Sequence, residues 1–183
     1  MRITGGIYRS RRVQCPPGVI RPAMDRMRES MFSILGDIGG LSFLDLFTGS
    51  GVVGIEAASR GAEPVVLVEK DRRKTPVIRK NISFVESPIR LLIQPAERYI
   101  ATQASRQDSK FDIIYLDPPF KYEQKIELIR SVARSGLLAP QGRCLIHHPS
   151  PEQWPEHIEQ LEVSDLRAYG GSTLRFFGWM EAQ

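Results

Sequence analysis

The 183-residue chain has only two cysteines, Cys15 and Cys144, far apart and without metal-ligand spacing. A disulfide framework and a zinc site are therefore not expected, and a reducing cytoplasm is the expected setting. No apolar run approaches the ~20 residues that cross a bilayer. The first ten residues, MRITGGIYRS, lack the apolar core of a signal peptide. Internal repeats, low-complexity tracts and long linkers are also missing. Hydrophobic residues make up 42% and charged residues 25%, which argues against disordered, collagen-like and coiled-coil chains. The length suits one domain with a sizeable core and leaves little room for a second.

Acidic charge is scarce at one end. Residues 1–35 hold Arg2, Arg9, Arg11, Arg12, Arg21, Arg26 and Arg28 against only Asp25 and Glu29, a net +5. The whole chain carries +4, so the other 148 residues sum to about −1. All of the basic excess is arginine, whose planar fork of donors grips phosphate with paired hydrogen bonds. Such a cluster is an expected footprint for nucleic acid, and a solvated basic surface is the plainer alternative.

What is present is an alternation of strands and helices. Residues 1–4 and 7–14 flank Gly5-Gly6, a pair suited to a two-residue hairpin turn. Helical spacing appears over 23–35, 52–60, 96–104 and 124–135, and Thr75-Pro76 predicts the cap and first turn of a helix reaching about 85. Short apolar runs at 42–47, 64–69, 90–94, 111–117 and 143–147 predict buried strands. Residues 161–168 and 173–180 predict a closing hairpin. The pattern is α/β, with a mainly parallel sheet covered on both faces. Seven strands are expected in that sheet, in addition to the N-terminal hairpin. A basic arm over 1–20 and one compact unit over 21–183 are the expected divisions.

Asp45-Leu46-Phe47-Thr48-Gly49-Ser50-Gly51 joins the first core strand to its helix, and Gly49, Gly51 and Gly54 fit G-x-G-x-x-G. Such a loop allows a tight turn, close backbone approach to a ligand and close helix–strand packing. It suits NAD, FAD and S-adenosylmethionine alike. Glu69, followed by Lys70, ends the next strand, where a carboxylate can accept from both hydroxyls of a ribose. Asp45 lies within the apolar strand, so its carboxylate needs partners, which loop amides or a cationic ligand can supply.

Asp117-Pro118-Pro119-Phe120 ends the fourth core strand and falls in the same crevice. The prolines stiffen the turn and leave carbonyl oxygens as acceptors. A carboxylate and a proline carbonyl can take both protons of one exocyclic amino group and aim its lone pair at a methyl donor. Phe120 offers a face on which a planar base stacks, worth ~1–3 kcal/mol.

A D-P-P-F motif with this glycine loop resembles the amino-group methyltransferases that use S-adenosylmethionine. Within them the chain resembles the RsmD family, nearly end to end. The matching residues are Met1-Arg2-Ile3, Gly5-Gly6, Arg9 and Arg11-Arg12; Arg21-Pro22, Asp25-Arg26 and Arg28-Glu29; the loop 45–51 with Gly54-Ile55-Glu56-Ala57 and Ser59-Arg60-Gly61-Ala62; and Asp117 to Phe120. The resemblance implies a Rossmann-like class I fold and methylation of a guanine N2 in small-subunit ribosomal RNA. It implies that Asp45, Phe47, Thr48, Gly49, Ser50, Gly51, Gly54, Glu69, Lys70, Ala96, Glu97 and Asp117 hold S-adenosylmethionine. Asp117, Pro118, Pro119 and Phe120 would orient the guanine. Arg9, Arg11, Arg12, Arg21, Asp25, Arg26 and Arg28 would contact RNA, in the small subunit or an assembly intermediate. A cytoplasmic monomer without metal or membrane contact is expected.

The chain departs from the family pattern at four places. Ala23-Met24 replace a threonine pair, Ser10 replaces a glycine, and Pro95-Ala96 replace an Asp-Ala that reads adenine. His147-His148 stand where a carboxylate often follows the fifth strand. Adjacent residues on a strand face opposite ways, so the two histidines make a poor metal site. The alternatives are amino methylation of another RNA base, DNA adenine or protein glutamine, an NAD-dependent oxidoreductase, and a non-catalytic RNA-binding module.

Overall fold

The computed structural model describes residues 1–16, 24–104 and 110–181. Within them run α1 (Met24–Leu35), β1 (Phe43–Leu46), α2 (Val52–Ser59), β2 (Val65–Glu69), a 3-10 turn (Arg72–Lys74), α3 (Thr75–Ile82), β3 (Ile89–Ile93) and α4 (Ala96–Ala104). There follow β4 (Phe111–Leu116), α5 (Lys125–Ser135), β5 (Leu138–Pro149), β6 (His157–Ile158), β7 (Leu161–Tyr169) and β8 (Ser172–Trp179). One sheet has the order β3-β2-β1-β4-β5-β8-β7-β6. Strands β1 to β5 pair in parallel, and β8, β7 and β6 add antiparallel.

Strand alternation divides the core into two layers. Phe43, Ile113, Tyr115, Leu145 and Phe176 pack against α1, α2 and Ile78 of α3. Leu44, Leu46, Ile114, Leu116, Ile146 and Phe177 pack against α4 and α5. Both faces are covered, which is why these strands read as continuous apolar runs rather than as an alternation.

Several boundaries differ from the sequence expectation. The sheet has eight named strands rather than seven, because the two-residue β6 pairs with β7 and is too short to leave a periodic signal. Strand β5 begins five residues early, at Leu138, which pairs with Phe111 across a register shift. The expected helix to 85 stops at Ile82. Ala23, the expected start of α1, and the arm boundary at residue 20 lie outside the described residues.

The N-terminal hairpin forms, but not around Gly5-Gly6. Arg2 bridges Arg12, Val13 N–H donates to the Met1 carbonyl, and Ile3 N–H donates to Arg11 while Ile3 accepts from Ser10. Ser10, at φ 72°, is the extra residue of a bulge opposite Ile3. The intervening turn wraps the end of α2. Ser59 Oγ donates to the Gly5 carbonyl, and the Ile7 and Tyr8 amides donate to the Ser59 carbonyl and hydroxyl. Gly6, at φ 75°, passes so close to Ser59 that a Cβ would meet its carbonyl at 1.8 Å. The glycine pair thus serves a close approach, not a tight two-residue turn. Ile3, Tyr8 and Val13 are buried in the same core layer as α1 and α2.

A buried charge cluster completes that joint. The Glu56 carboxylate on α2 takes Arg28 Nε at 2.9 Å, Arg60 at 3.0 Å and the Thr4 hydroxyl. Arg28, fully buried, also reaches Asp25 at 3.0 Å and the Arg2 carbonyl at 2.5 Å. Arg28 is therefore not an RNA contact as expected from sequence. Its Nε and Nη2 join α1, α2 and the arm. Removing one partner of a buried pair leaves a charge uncompensated. Arg28→Ala is expected to lower the unfolding free energy by about 3 kcal/mol, read as a shift of the urea midpoint. The double variant Arg28→Met/Glu56→Gln should lose clearly less.

Candidate active site

Strand order reverses between β1 and β4, whose helices leave toward opposite faces, and a crevice opens at the carboxyl ends there. The register Leu46↔Leu116 sets the two strand ends level, and Asp117 N–H donates to the Leu46 carbonyl at 3.2 Å. The glycine loop and the D-P-P-F turn therefore share one cavity of about 420 Å³, a size suited to a small ligand.

The loop after β1 is left-handed three times, at Phe47 (φ 64°), Gly49 (φ 61°) and Gly51 (φ 82°), the last capping α2. Gly54 serves packing. A Cβ there would lie 2.2 Å from Leu67 Cδ2 and 3.4 Å from Asp45 Oδ2. Gly54 N–H instead donates to that oxygen at 3.1 Å, and Thr48 Oγ1 donates to it at 2.5 Å. Asp45 is buried, and its Oδ1 has no partner among the described residues. Burial pushes its carboxyl up to about 7, helped by the charges of Asp117 and Glu69 and opposed by the Thr48 and Gly54 hydrogen bonds.

Glu69 ends β2 on the same wall. Its Oε2 accepts from Gly49 N–H at 3.0 Å and Lys74 Nζ at 3.2 Å, and its Oε1 from Asp71 N–H at 2.9 Å. Phe47, Thr48, Gly49, Ser50, Lys70, Asp117, Pro118 and Pro119 also line the cavity. Gly51 and Gly54 shape it from behind.

Two expected ligand residues are not brought there. Ala96 is buried in the second core layer, and Glu97 accepts at 2.6 Å from Tyr122, whose ring packs edge-on to Phe47. Pro95, Ala96 and Glu97 are not among the residues that line the cavity. Phe120 is half-buried beside the cavity, edge-on to His147 at 5.4 Å.

Several residues were not foreseen. Met1, Cys15 and Pro16 form a wall of the cavity. Asn81 on α3 accepts from Gln14 N–H and donates to the Gln14 and Ser50 carbonyls, tying that wall to the glycine loop. Buried Lys125 donates to the Phe120 carbonyl at 2.8 Å, the Tyr122 carbonyl at 2.5 Å and Glu152 at 2.6 Å, stapling the turn after the motif. A lysine at the start of an apolar helix face was the available signal for that role. His147 Nδ1 lies 3.0 Å from Asp117 Oδ1, whereas His148 faces the other way, toward the Pro149 carbonyl and Trp154.

Among the expected RNA contacts, Arg9, Arg11, Arg12 and Arg26 are exposed. Arg11 lies over the Phe84 ring at 4.7 Å. Asp25 is half-buried and paired with Arg28. Arg21 lies outside the described residues.

The Asp45 shift has a stability consequence. Its folded carboxyl binds a proton more tightly than the usual 3.8 of a free carboxyl. That contribution is full below about pH 4 and is lost as pH rises through about 7. The ligand-free protein should thus lose a few kcal/mol across this window, and Asp45→Asn should flatten the slope in denaturant titrations at successive pH values.

The chain matches known proteins over nearly its whole length. The profile of the family described as "Conserved hypothetical protein 95" matches residues 1–178. The chain is 30% identical over 174 residues to "Putative rRNA methyltransferase YlbH" of Bacillus subtilis, covering 93% of this chain and 94% of that one. It is 31% identical over 172 residues to "Ribosomal RNA small subunit methyltransferase D" of Escherichia coli, covering 88% and 84%. The solved structure "Putative methyltransferase yhhF from Escherichia coli" superposes with a TM-score of 0.85 at 29% identity, covering 100% and 99%. With the doubly covered sheet and the paired strand-end motifs, these matches place the chain: it belongs to the family described as Conserved hypothetical protein 95, the RsmD family.

Proposed function

We propose that the protein transfers a methyl group from S-adenosylmethionine to the exocyclic N2 of a guanine in small-subunit ribosomal RNA. The observation that carries the reading is one cavity with Asp45 and Glu69 on one side and Asp117-Pro118-Pro119 on the other. The names of the relatives and the RsmD resemblance of the motifs support the choice of ribosomal guanine.

The residues fit the cofactor. Asp45 Oδ1 is a buried acceptor without a partner among the described residues. An ammonium group such as that of a methionine moiety would satisfy it and stabilise the ionised carboxylate. Glu69 holds three protein donors, and a carboxylate offers about four lone-pair sites, so a ribose hydroxyl can be accommodated. When bound, S-adenosylmethionine supplies an electrophilic methyl group. The protein's own residues orient the acceptor. Asp117 Oδ2 and the Pro118 carbonyl accept hydrogen bonds from the two N2–H groups, the nitrogen losing one proton only after it has bonded to the methyl carbon, and Phe120 stacks the base, which reaches the crevice flipped out of its helix. Catalysis is then largely the placement of two reactants. The exposed arginines of the arm hold RNA phosphates, in the small subunit or an assembly intermediate, for a monomer acting in the cytoplasm. No helix among the described residues is long and apolar enough to cross a membrane.

Incubation with labelled S-adenosylmethionine and unmodified small subunits should place label on N2 of one guanine. Label on adenine or on protein would overturn the substrate assignment. Asp117→Ala should abolish turnover yet leave S-adenosylhomocysteine binding largely intact, and stabilisation by that ligand but not by NAD is expected in thermal shift. Arg9→Ala/Arg11→Ala/Arg12→Ala should weaken RNA binding and reduce its salt dependence. Unchanged affinity in a folded variant would remove the arm from the RNA contact.

A further inference from the structure

Resting on the methyltransferase reading, we propose that His147 is a positioning residue for the transfer, holding Asp117 and Phe120 in the geometry that orients the acceptor amino group. Three observations meet at this imidazole. Strands β4 and β5 run parallel with Leu116 level with Ile146, so the next residues, Asp117 and His147, stand side by side on the same face. His147 Nδ1 lies 3.0 Å from Asp117 Oδ1. The Phe120 ring meets the imidazole edge-on, with centroids 5.4 Å apart and planes at 67°.

The hydrogen bond fixes the tautomer. Asp117 as a carboxylate is an acceptor only, so Nδ1 must carry the proton and donate it. His147 is 3% exposed, and its Nε2 has no partner among the described residues. A neutral ring with a bare Nε2 leaves no unmet donor in the interior, whereas a second N–H there would be unsatisfied. Donation to Oδ1 fixes the carboxylate plane and leaves Oδ2 for the substrate amino group. The same ring bounds the swing of Phe120, whose carbonyl accepts from Lys125 at 2.8 Å. One buried side chain therefore restrains both the group that takes an amino proton and the ring that stacks the base. Misplacement of reacting groups by about 1 Å costs on the order of 100-fold in rate, so losing this restraint should fall on kcat rather than on cofactor affinity.

Three variants separate the hydrogen bond from simple packing. His147→Asn keeps an N–H donor near the position of Nδ1, His147→Phe keeps a ring against Phe120 without a donor, and His147→Leu keeps neither. Single-turnover methyl transfer to unmodified small subunits gives the rate, and calorimetry gives S-adenosylhomocysteine affinity. The expected result is a rate for Asn within about 3-fold of wild type, a loss of about 10- to 100-fold for Phe and more for Leu, with cofactor affinity unchanged. Nitrogen-15 NMR of the wild-type imidazole should show the proton on Nδ1. The proposal fails if Phe transfers as fast as wild type, if Asn and Phe are equally slow, or if the proton sits on Nε2. The NMR result stands even where a variant does not fold. Wild-type protein that labels no guanine N2 would instead overturn the underlying methyltransferase reading, a separate outcome.

Discussion

The hydrogen bond from Asp117 N–H to the Leu46 carbonyl closes the parallel pairing of β1 and β4, and the site depends on it. These strands are far apart in sequence, and their alignment within one register sets two loop motifs face to face. With β2 on the other side of β1, three carboxylates converge: Asp45 within β1, Glu69 at the end of β2 and Asp117 past β4. Asp45, the most buried of the three, has its carboxyl pushed up chiefly by burial, with the charges of Asp117 and Glu69 adding to the rise. Among the described residues no donor meets Asp45 Oδ1, which leaves that oxygen open to a cation. The left-handed loop and the first turn of α2 set two backbone amides, those of Gly49 and Gly54, on carboxylates.

The basic arm is part of the same construction. Its inner residues Ile3, Tyr8 and Val13 lie in the core, and its far end supplies Cys15 and Pro16 to the cavity wall. Two polar joints hold it. Glu56 gathers Arg28, Arg60 and Thr4 at the α1–α2 contact, and Asn81 pairs with the Gln14 backbone while holding the Ser50 carbonyl. A buried ion cluster of this kind gains less from Coulomb attraction than it loses when one member is removed. Its consequence here is a fixed relation between exposed arginines and the cavity behind them. Under the proposed function, RNA held by the arm is held at a set distance from the cofactor.

Much of this was legible in the residues, for reasons that differ by element. Buried strands and their helices could be read because both sheet faces are covered, which leaves strong apolar runs. The glycine loop and D-P-P-F could be read because backbone chemistry forces them: left-handed turns favour glycine, and proline removes donors whatever surrounds it. Where residue type had two physical uses, the reading failed. Gly5-Gly6 permits a tight turn, yet serves the close approach to Ser59. Arg28 in a basic segment suggests phosphate, yet its side chain turns inward to Glu56. Ala96 and Glu97 follow β3 in the expected place but are not among the lining residues of the cavity, and Glu97 accepts from Tyr122. The two-residue β6 and the early start of β5 depend on pairing with partners, which leaves no periodic trace.

By itself the sequence determined the α/β class, the order of elements, the two strand-end motifs and the concentration of arginine at one end. These are local properties, set by periodicity, turn chemistry and charge within a few residues. The tertiary structure decided register, and register decided contact. Nothing in the spacing of residues 117 and 147 says that they touch. Parallel pairing at Leu116↔Ile146 does, because the next residue on each strand then shares a face. Asn81 of α3 likewise meets the Ser50 carbonyl only through the packing of the helix against the glycine loop. Burial likewise sorted the charged residues, leaving Arg9, Arg12 and Arg26 in solvent and taking Arg28 and Glu56 inside, a distinction that composition does not contain.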